Sequence, residues 1–382
     1  MLNDVLREAR LAQHLSQREL AQRASISTAQ ISYVERAERV PSPALMIAIT
    51  NQLNLASDAW LPAYLAQETR LATLIRLIEL FLRDQRYAEA REVLRVGLAK
   101  NRRHYNGRYD YRIYHQAGRL NYHQGRYRVA LLWFQRMVRH LSHANAFTRG
   151  LALYDYGMSL YRVGRLPEAF FRLQQARAAF GTAHRPLRGF ATWALAACLF
   201  DQYRYREARR YFAQASHDLK DPPHATEVVF GFVLTTWIVT PSAETFQPLV
   251  EFEHQHGPLP DGLRSRWLLT MTIAHRLGKR PDAAMTYAEQ INADTTRPDE
   301  YAESLAERAL CALELNKPGD ARQWCAAFDL VAAYATDNMR WFMFLLDQVL
   351  KNPRLATGEL AIHEGYDRRI QRLLELADPS PA

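Results

Sequence analysis

Small and hydrogen-bonding side chains recur on one side of a short predicted helix, residues 28–36. The residues on that outward side are Ala29, Ser32, Tyr33 and Arg36. Ile31 and Val34 fall on the opposite side, at the spacing of a helix that buries one face. Hydroxyl, methyl, phenol and guanidinium groups on one exposed face can contact base edges and phosphates, so the pattern indicates nucleic-acid chemistry.

Three helix-start signals predict the elements that position this face. Residues 16–19 and 27–30 are capping boxes, in which a serine covers an orphan amide and the fourth residue reaches back. Ser42-Pro43 is a cap followed by proline at the first helical position. Two short helices joined by a brief turn form a helix-turn-helix, whose second helix enters the major groove of duplex DNA.

Residues 1–66 resemble the phage-repressor, or XRE, family of helix-turn-helix domains. The motifs that carry the resemblance are Gln17, Glu19-Leu20-Ala21, Ser27 and Ile31-x-x-Val34-Glu35-Arg36. The resemblance implies a domain of five helices that binds double-stranded DNA. It also implies a buried ion pair between Arg10 and Glu35, which fixes the first helix against the recognition helix.

The resemblance also assigns DNA contacts residue by residue. The implied contacts are Gln17, Ser27 and Arg36 at backbone phosphates, Thr28, Ala29 and Tyr33 at base edges, and Gln30 and Ser32 as further base-edge candidates. Two alternatives stay open, because Gln30 can serve only as a capping partner and Tyr33 can pack its ring on the domain surface.

Two features depart from the family pattern. Ser25 and Ala37 stand where glycine is usual, and a left-handed turn at a non-glycine residue costs roughly 1 kcal/mol. Residues 1–66 also carry no net charge, whereas phosphate neutralisation supplies most non-specific affinity for DNA. Dimerisation or the neighbouring basic region must then contribute to binding.

The rest of the chain repeats a turn that is followed five residues later by alanine. The pairs are Gln85 and Ala90, Gly125 and Ala130, Gly164 and Ala169, Tyr203 and Ala208, Gly278 and Ala283, and Asn316 and Ala321. The alanines are 40, 39, 39, 75 and 38 residues apart, so one degenerate repeat near residues 241–246 brings the total to seven. Small or apolar residues stand twelve positions before each alanine: Ile78, Gly118, Gly157, Ala196, Met271 and Ala309.

This self-similarity predicts stacked helical hairpins, and it resembles tetratricopeptide repeats with longer helices than usual. The expected fold is all-α, with a five-helix helix-turn-helix domain at residues 1–66 and a right-handed α-solenoid. The solenoid is expected at residues 67–336, and capping helices, 338–350 and 357–377, at residues 337–382.

A DNA-binding head on such an array resembles the peptide-sensing regulators of the Rgg, PlcR, PrgX and NprR group. The resemblance implies a cytoplasmic homodimeric transcriptional regulator that binds a short signalling peptide. One alternative is a scaffold that binds a protein partner, as the related Rap proteins bind response regulators, with DNA binding secondary. Another is an array that only dimerises.

Repeat phasing assigns a peptide groove to the inner faces of the first helices. The predicted peptide-binding residues are Arg112, His115, Arg119, Tyr122, Tyr154, Met158, Tyr161, Trp193, Phe200 and Thr235. A basic wall followed by an aromatic floor suits a hydrophobic peptide with an acidic group, which Arg112 and Arg119 would bind. The alternative is that these aromatics only pack between helices.

Other function classes find little support. The net charge of +9 divides into zero for residues 1–66, +17 for residues 67–220 and −8 for residues 221–382, a sign change that suggests interaction surfaces. No phosphate loop, nucleophile elbow or metal-ligand spacing is visible, so no enzyme activity, catalytic residue, metal or cofactor is predicted. Cys198, Cys311 and Cys325 lie far apart. Cys198 and Cys311 occupy the same internal position of their repeats and are expected in the core. The apolar run 228–239 is too short to cross a membrane, and no signal peptide is visible.

Overall fold

A computed structural model describes residues 1–351 except residue 69, residues 105–109, 221–223 and 257–258, and residue 295. The described residues form twenty α-helices and no β-strand, which confirms the all-α prediction. The predicted helix at 357–377 lies outside the described residues. In the part of the chain that is described, no helix is both long and apolar enough to span a bilayer.

Five short helices make up the N-terminal segment, as predicted. They are α1 (Leu2–Ala12), α2 (Gln17–Arg23), α3 (Thr28–Glu35), α4 (Pro43–Gln52) and α5 (Ser57–Gln67). The capping box before α2 is formed, since Glu19 N donates to Ser16 Oγ at 3.1 Å and Ser16 N donates to the Glu19 carboxylate at 2.7 Å. Ser42 caps α4 through a single bond, in which Leu45 N donates to Ser42 Oγ at 3.3 Å.

Seven helical hairpins follow in the described residues. They are α6 (Leu71–Arg83) with α7 (Tyr87–His104), α8 (Asp110–His123) with α9 (Tyr127–Val138), α10 (Ala146–Arg162) with α11 (Leu166–Phe180), α12 (Arg185–Asp201) with α13 (Tyr205–Asp218), α14 (His224–Val239) with α15 (Ala243–His256), α16 (Asp261–Leu277) with α17 (Pro281–Ala288), and α18 (Pro298–Glu314) with α19 (Pro318–Val331). The degenerate hairpin is α14–α15, and Pro248 lies inside α15. One further helix, α20 (Asp337–Lys351), corresponds to the first predicted cap.

Six of the hairpins turn through one residue in the left-handed conformation. These residues are Gln85, Gly125, Gly164, Tyr203, Lys279 and Asn316, with φ between 57° and 75°. The next backbone N–H donates five residues back, for example from Arg126 to the Asn121 carbonyl at 2.8 Å. This bond closes the last turn of the first helix and satisfies one of its orphan carbonyls.

The sequence prediction for the sixth hairpin was wrong by one residue. Gly278 has φ −78°, and Lys279 takes the left-handed position, followed by the bond from Arg280 N to the His275 carbonyl at 3.0 Å. Glycine tolerates positive φ best, which is why the sequence favoured Gly278. In the structure Gly278 still continues the helical bonding of α16, because its N–H donates to the Ala274 carbonyl at 2.9 Å. The repeat alanine is therefore the buried Ala284.

The correction also moves the small contact residue of that repeat. Thr272, rather than Met271, stands twelve residues before Ala284, and Thr272 is fully buried. Its hydroxyl donates to the Leu268 carbonyl at 2.9 Å. A buried hydroxyl can occupy a tight interhelical position when its own helix backbone accepts the hydrogen bond.

Glycines allow paired helices to approach closely. A Cβ atom added at Gly118 of α8 would lie 2.4 Å from the Phe134 ring of α9. A Cβ atom added at Gly157 of α10 would lie 2.7 Å from Leu173 of α11. Phe134 and Leu173 each stand four residues after a repeat alanine, so one small and one large residue interlock in both hairpins.

Contacts divide the chain into two compact units, Met1–His143 and Ala144–Ala382. The core of the first unit continues across residue 66, because the rings of Trp60 and Phe81 lie 6.3 Å apart and both are buried. The division into domains at residues 66 and 336 stays a prediction.

The three cysteines are buried and free, which confirms the core positions predicted for Cys198 and Cys311. Burial raises the pKa of the Cys311 and Cys325 thiols to about 12, so both are protonated near neutral pH. The described residues bring together no group of three or more His, Cys, Asp or Glu suited to a metal ion.

The close helix contact at Gly118 predicts that a methyl group added there destabilises the fold, whereas one added at an open glycine does not. Gly118→Ala should lower the free energy of unfolding by about 1–3 kcal/mol, because the buried Phe134 ring cannot yield without repacking. Gly262→Ala is the control, since nothing lies within 4 Å of the added atom in α16, and it should be neutral or stabilising by up to about 1 kcal/mol. Chemical unfolding followed by circular dichroism measures both, and equal effects would contradict the proposed interlock.

Candidate nucleic-acid interface and repeat surfaces

A buried ion pair joins the first helix to the recognition helix. Arg10 Nε donates to Glu35 Oε1 at 2.6 Å and Arg10 Nη2 donates to Glu35 Oε2 at 2.8 Å. Arg10 Nη1 donates to the Leu15 carbonyl at 2.7 Å, and both charged side chains are less than a tenth exposed. This bidentate geometry is the pairing that the family resemblance implies, and it fixes both distance and orientation between α1 and α3.

Gln17 completes the network around Glu35. Its side-chain Nε2 donates to Glu35 Oε2 at 2.8 Å, which links the start of α2 to the end of α3. Burial alone would raise the pKa of Glu35, but hydrogen bonds from Arg10 and Gln17 and the Arg10 charge outweigh burial and lower it. Glu35 is therefore ionised at neutral pH, and Gln17, predicted at a phosphate, also has a structural role.

The outward face of α3 is arranged as the sequence predicts. Ile31 and Val34 are buried against the N-terminal core. The predicted contact residues of this helix and its caps are exposed, except for the half-buried Ser32: Ser27, Thr28, Ala29, Gln30, Tyr33 and Arg36. The face that could meet a groove of DNA is thus free of packing partners along most of its length.

Ser27 and Gln30 form the second capping box. The Gln30 Oε1 atom accepts from Ser27 N at 2.9 Å and from Ser27 Oγ at 3.1 Å. The side-chain oxygen of Gln30 therefore serves the cap. Its side-chain nitrogen is the atom that would donate to a base edge or phosphate.

Two arginines flank the ring of Tyr33. The guanidinium carbons of Arg36 and Arg39 lie 5.5 Å and 5.8 Å from the ring centroid, and Tyr33 remains 41% exposed. Arg36 also pairs with Glu38, with 3.1 Å between Arg36 Nε and Glu38 Oε1. Sequence reasoning missed Arg39, because it lies beyond α3, where helical spacing no longer indicates the direction of a side chain.

Both departures from the glycine pattern adopt the left-handed conformation. Ser25 and Ala37 each have φ +56°, at the turns that follow α2 and α3. Ile26 N donates to the Ala21 carbonyl at 2.9 Å across the first turn. The turn between the two helices thus keeps its geometry although each residue carries a strain of roughly 1 kcal/mol.

Four of the predicted peptide-binding residues lie in the first unit, on α8. Arg112, His115, Arg119 and Tyr122 are all half-buried. Arg112 Nε donates to the Tyr111 hydroxyl at 2.9 Å, and the Tyr122 ring lies 5.1 Å from that of Tyr127. The His115 ring is 6.0 Å from Phe134, so these side chains combine partial exposure with packing inside the hairpin.

Five others lie in the second unit. Tyr154, Met158 and Tyr161 of α10 and Trp193 and Phe200 of α12 are half-buried. Trp193 and Phe200 pack at the edge of the core that α12, α13 and α14 share. These side chains, four of them aromatic, are therefore partly exposed, as contact with a peptide would need.

Thr235, the last predicted peptide-binding residue, is not exposed. It is fully buried, and its hydroxyl donates to the Gly231 and Phe232 carbonyls at 2.7 and 3.0 Å. A Cβ atom added at Gly231 would lie 2.4 Å from Phe212 of α13, so this side of α14 faces the preceding hairpin. The sequence of α14 is apolar almost throughout, so it does not show which side of the helix is buried. Counting from the neighbouring repeats therefore assigned Thr235 to the wrong side.

Comparison with known protein families supports a helix-turn-helix domain near the N-terminus. Residues 6–61 match the helix-turn-helix family model. A structure titled as the functional characterization of Pseudomonas aeruginosa pilF shows 17% identity and a TM-score of 0.43, covering 58% of this chain and 90% of that chain. The crystal structure of the P58(IPK) TPR domain shows 13% identity and a TM-score of 0.25, covering 99% of both chains. No curated protein matches the sequence.

Removal of the Glu35 carboxylate should lower the free energy of unfolding of the N-terminal domain. Glu35→Ala leaves Arg10 buried without its counter-charge, so we expect about 3–5 kcal/mol less free energy of unfolding. Glu38→Ala removes only an exposed ion pair with Arg36 and should cost below about 1 kcal/mol. Urea unfolding at pH 7 compares the two, and similar losses would show that the buried network is not needed.

The same network predicts a direction of pH dependence. The folded-state pKa of Glu35 lies below its ordinary value of 4.5, so its stabilising contribution is complete above that pH. The contribution is lost as the pH falls through the folded-state pKa. The difference in unfolding free energy between wild type and Glu35→Gln should therefore shrink between pH 5 and lower values, and a difference that grows would contradict this assignment.

Proposed function

We propose that the chain is a transcriptional regulator that binds duplex DNA through α3 and a short signalling peptide through its repeats. One observation carries the proposal: the outward face of α3 is polar and exposed, while its inner end is held by the buried Arg10–Glu35–Gln17 network. A reading helix must be fixed in orientation, because the position of base contacts depends on it.

The proposed contacts follow from side-chain chemistry. Thr28 and Ala29 begin α3, where they would approach base edges first, and the Ala29 methyl suits contact with a thymine methyl group. The Tyr33 hydroxyl would reach the next base edge. Arg36 and Arg39, whose guanidinium groups both lie near the Tyr33 ring, would bind phosphates.

Charge supports the proposal that two copies of the chain bind DNA together. Residues 1–66 carry no net charge, so a single copy gains little from phosphate attraction. The following segment, residues 67–220, has a net charge of +17 and can supply that attraction. Two copies related by a two-fold axis would read two half-sites, which raises discrimination between sequences.

The repeats would bind the peptide on the inner faces of their first helices. The candidate residues, without Thr235, are Arg112, His115, Arg119 and Tyr122 in the first unit, and Tyr154, Met158, Tyr161, Trp193 and Phe200 in the second. Half-buried aromatic rings offer apolar area to an extended peptide at small entropic cost. Regulation of transcription would place the protein in the cytoplasm, where the three free cysteines stay reduced.

Selection from a random duplex library tests DNA recognition. Wild type should select two related half-sites, spaced by one helical turn or a multiple of it. Thr28→Ala and Tyr33→Ala should change the preferred bases at a cost of about 1–3 kcal/mol for the selected site. Arg36→Ala should weaken binding to all sequences and reduce its salt dependence.

Arg322→Ala is the matched control, since this exposed arginine lies on α19, far along the chain from the head. It should leave both preference and affinity unchanged. If the Tyr33→Ala, Arg36→Ala double variant selects the same operator with wild-type affinity, α3 is not the reading helix.

A further inference from the structure

The second helices of three hairpins begin with the same ion pair. An arginine directly before the helix pairs with a glutamate three residues later, in the first turn. The pairs are Arg86 with Glu89 at α7, Arg165 with Glu168 at α11 and Arg204 with Glu207 at α13, with nitrogen–oxygen distances of 2.9, 2.5 and 2.7 Å. The arginine of each of these hairpins thus has a counter-charge within its own repeat.

The second hairpin lacks this pair. Arg126 directly precedes α9, but Val129 stands where the other three helices have glutamate. In the described part of the chain, Arg126 forms an ion pair with no carboxylate. The neighbouring sequence could not supply one, because residues 111–154 contain seven arginines and no Asp or Glu. Arg126 therefore offers an exposed positive charge beside an apolar side chain.

Val129 begins an exposed stripe along α9. Leu132, Arg136 and Arg139 follow at spacings of three and four residues, which place them on one side of the helix. Val129 is 42% exposed and Leu132 is 57% exposed, and side chains three residues apart on a helix are neighbours. Together with Arg126 these residues form the α9 surface, an apolar patch with basic groups at both ends.

We propose that the α9 surface binds an acidic segment of a partner protein that also carries aliphatic side chains. A carboxylate of the partner would take the place of the missing glutamate beside Arg126, and its aliphatic side chains would cover Val129 and Leu132. A further carboxylate would meet Arg139. Duplex DNA suits the surface less well, because a phosphate backbone has no apolar group to cover Leu132.

The α9 surface is distinct from the proposed peptide groove, whose residues in the first unit lie on α8. The inference therefore goes beyond the function proposed above and does not depend on it. The two sites can be separated by experiment, because Arg119 belongs to the groove and Val129 belongs to the α9 surface.

Affinity selection on the immobilised full-length chain tests the inference. The probe is a random library of dodecapeptides with acetylated N-termini and amidated C-termini, so that only side chains carry charge. Wild type should enrich peptides that combine Asp or Glu with Leu, Ile or Val about tenfold over the input, as expected for a charge-assisted hydrogen bond. Mass spectrometry identifies the peptides, and the affinity of an enriched, labelled peptide is then measured by fluorescence anisotropy.

Val129→Glu is the decisive variant, because it restores the ion pair that three other hairpins contain. It should therefore fold as wild type does, which circular dichroism checks. The enriched peptide should bind about tenfold more weakly, since the new carboxylate neutralises Arg126 and repels the acidic group of the peptide. Leu330→Glu is the matched control, since it changes an exposed leucine on α19, and it should leave the affinity unchanged. Arg119→Ala should also leave it unchanged.

Three results would overturn the inference. The first is that no acidic peptide is enriched. The second is that Arg119→Ala weakens binding of the enriched peptide and Val129→Glu does not, which would place the peptide in the groove and leave the proposed peptide binding intact. The third concerns DNA and uses Arg139→Ala, because Arg136 lies over the Trp133 ring. If Arg139→Ala reduces the salt dependence of DNA affinity by about one unit of logarithmic slope, the α9 surface binds phosphates instead.

Discussion

Close approach between the two helices of a hairpin is the constraint on which the array depends. Where Gly118 faces Phe134, there is no room for even one additional carbon atom. Such a contact requires a small residue on one helix, a large one on the other, and a turn that returns the chain within a few residues. The left-handed residue at each of six turns meets the last requirement, and at Gln85, Tyr203, Lys279 and Asn316 it does so without glycine.

The head depends on a different interaction, because its helices are too short to define their angles by packing alone. The Arg10–Glu35 pair crosses from α1 to α3 and excludes solvent from both charges. A buried ion pair adds little net stability, but it restricts the positions of its two partners. A small displacement of either partner leaves a buried charge uncompensated. That property suits a helix whose outer face must meet a ligand of fixed shape.

The head is also joined to the array by packing. Trp60 of α5 lies against Phe81 of α6, and Tyr64 donates its hydroxyl to the Pro41 carbonyl at 3.0 Å. Ser57 of α5 donates to Glu89 of α7 at 2.7 Å. Burial raises the pKa of Tyr64, so its hydroxyl stays a donor throughout the physiological range. The first two hairpins and the head therefore share one core.

Local chemistry determined much of this protein from sequence alone. The capping boxes at Ser16 and Ser27 and the turns at Gly125 and Gly164 were readable because each involves atoms within a few residues. For the same reason the outward face of α3 could be predicted, whereas Arg39 beside Tyr33 could not, since it lies beyond the helical spacing.

Only the tertiary structure decided where distant segments meet. The left-handed turn falls at Lys279 rather than Gly278, and Gly278 instead lies where an added Cβ atom would be 3.3 Å from Trp237 of α14. Thr235 is buried because Gly231 lets α14 press against α13, a contact that the period of one helix does not reveal. Arg162 pairs with Asp299 because of the way in which five hairpins stack. That stacking depends on several successive packing angles, which no local sequence pattern specifies.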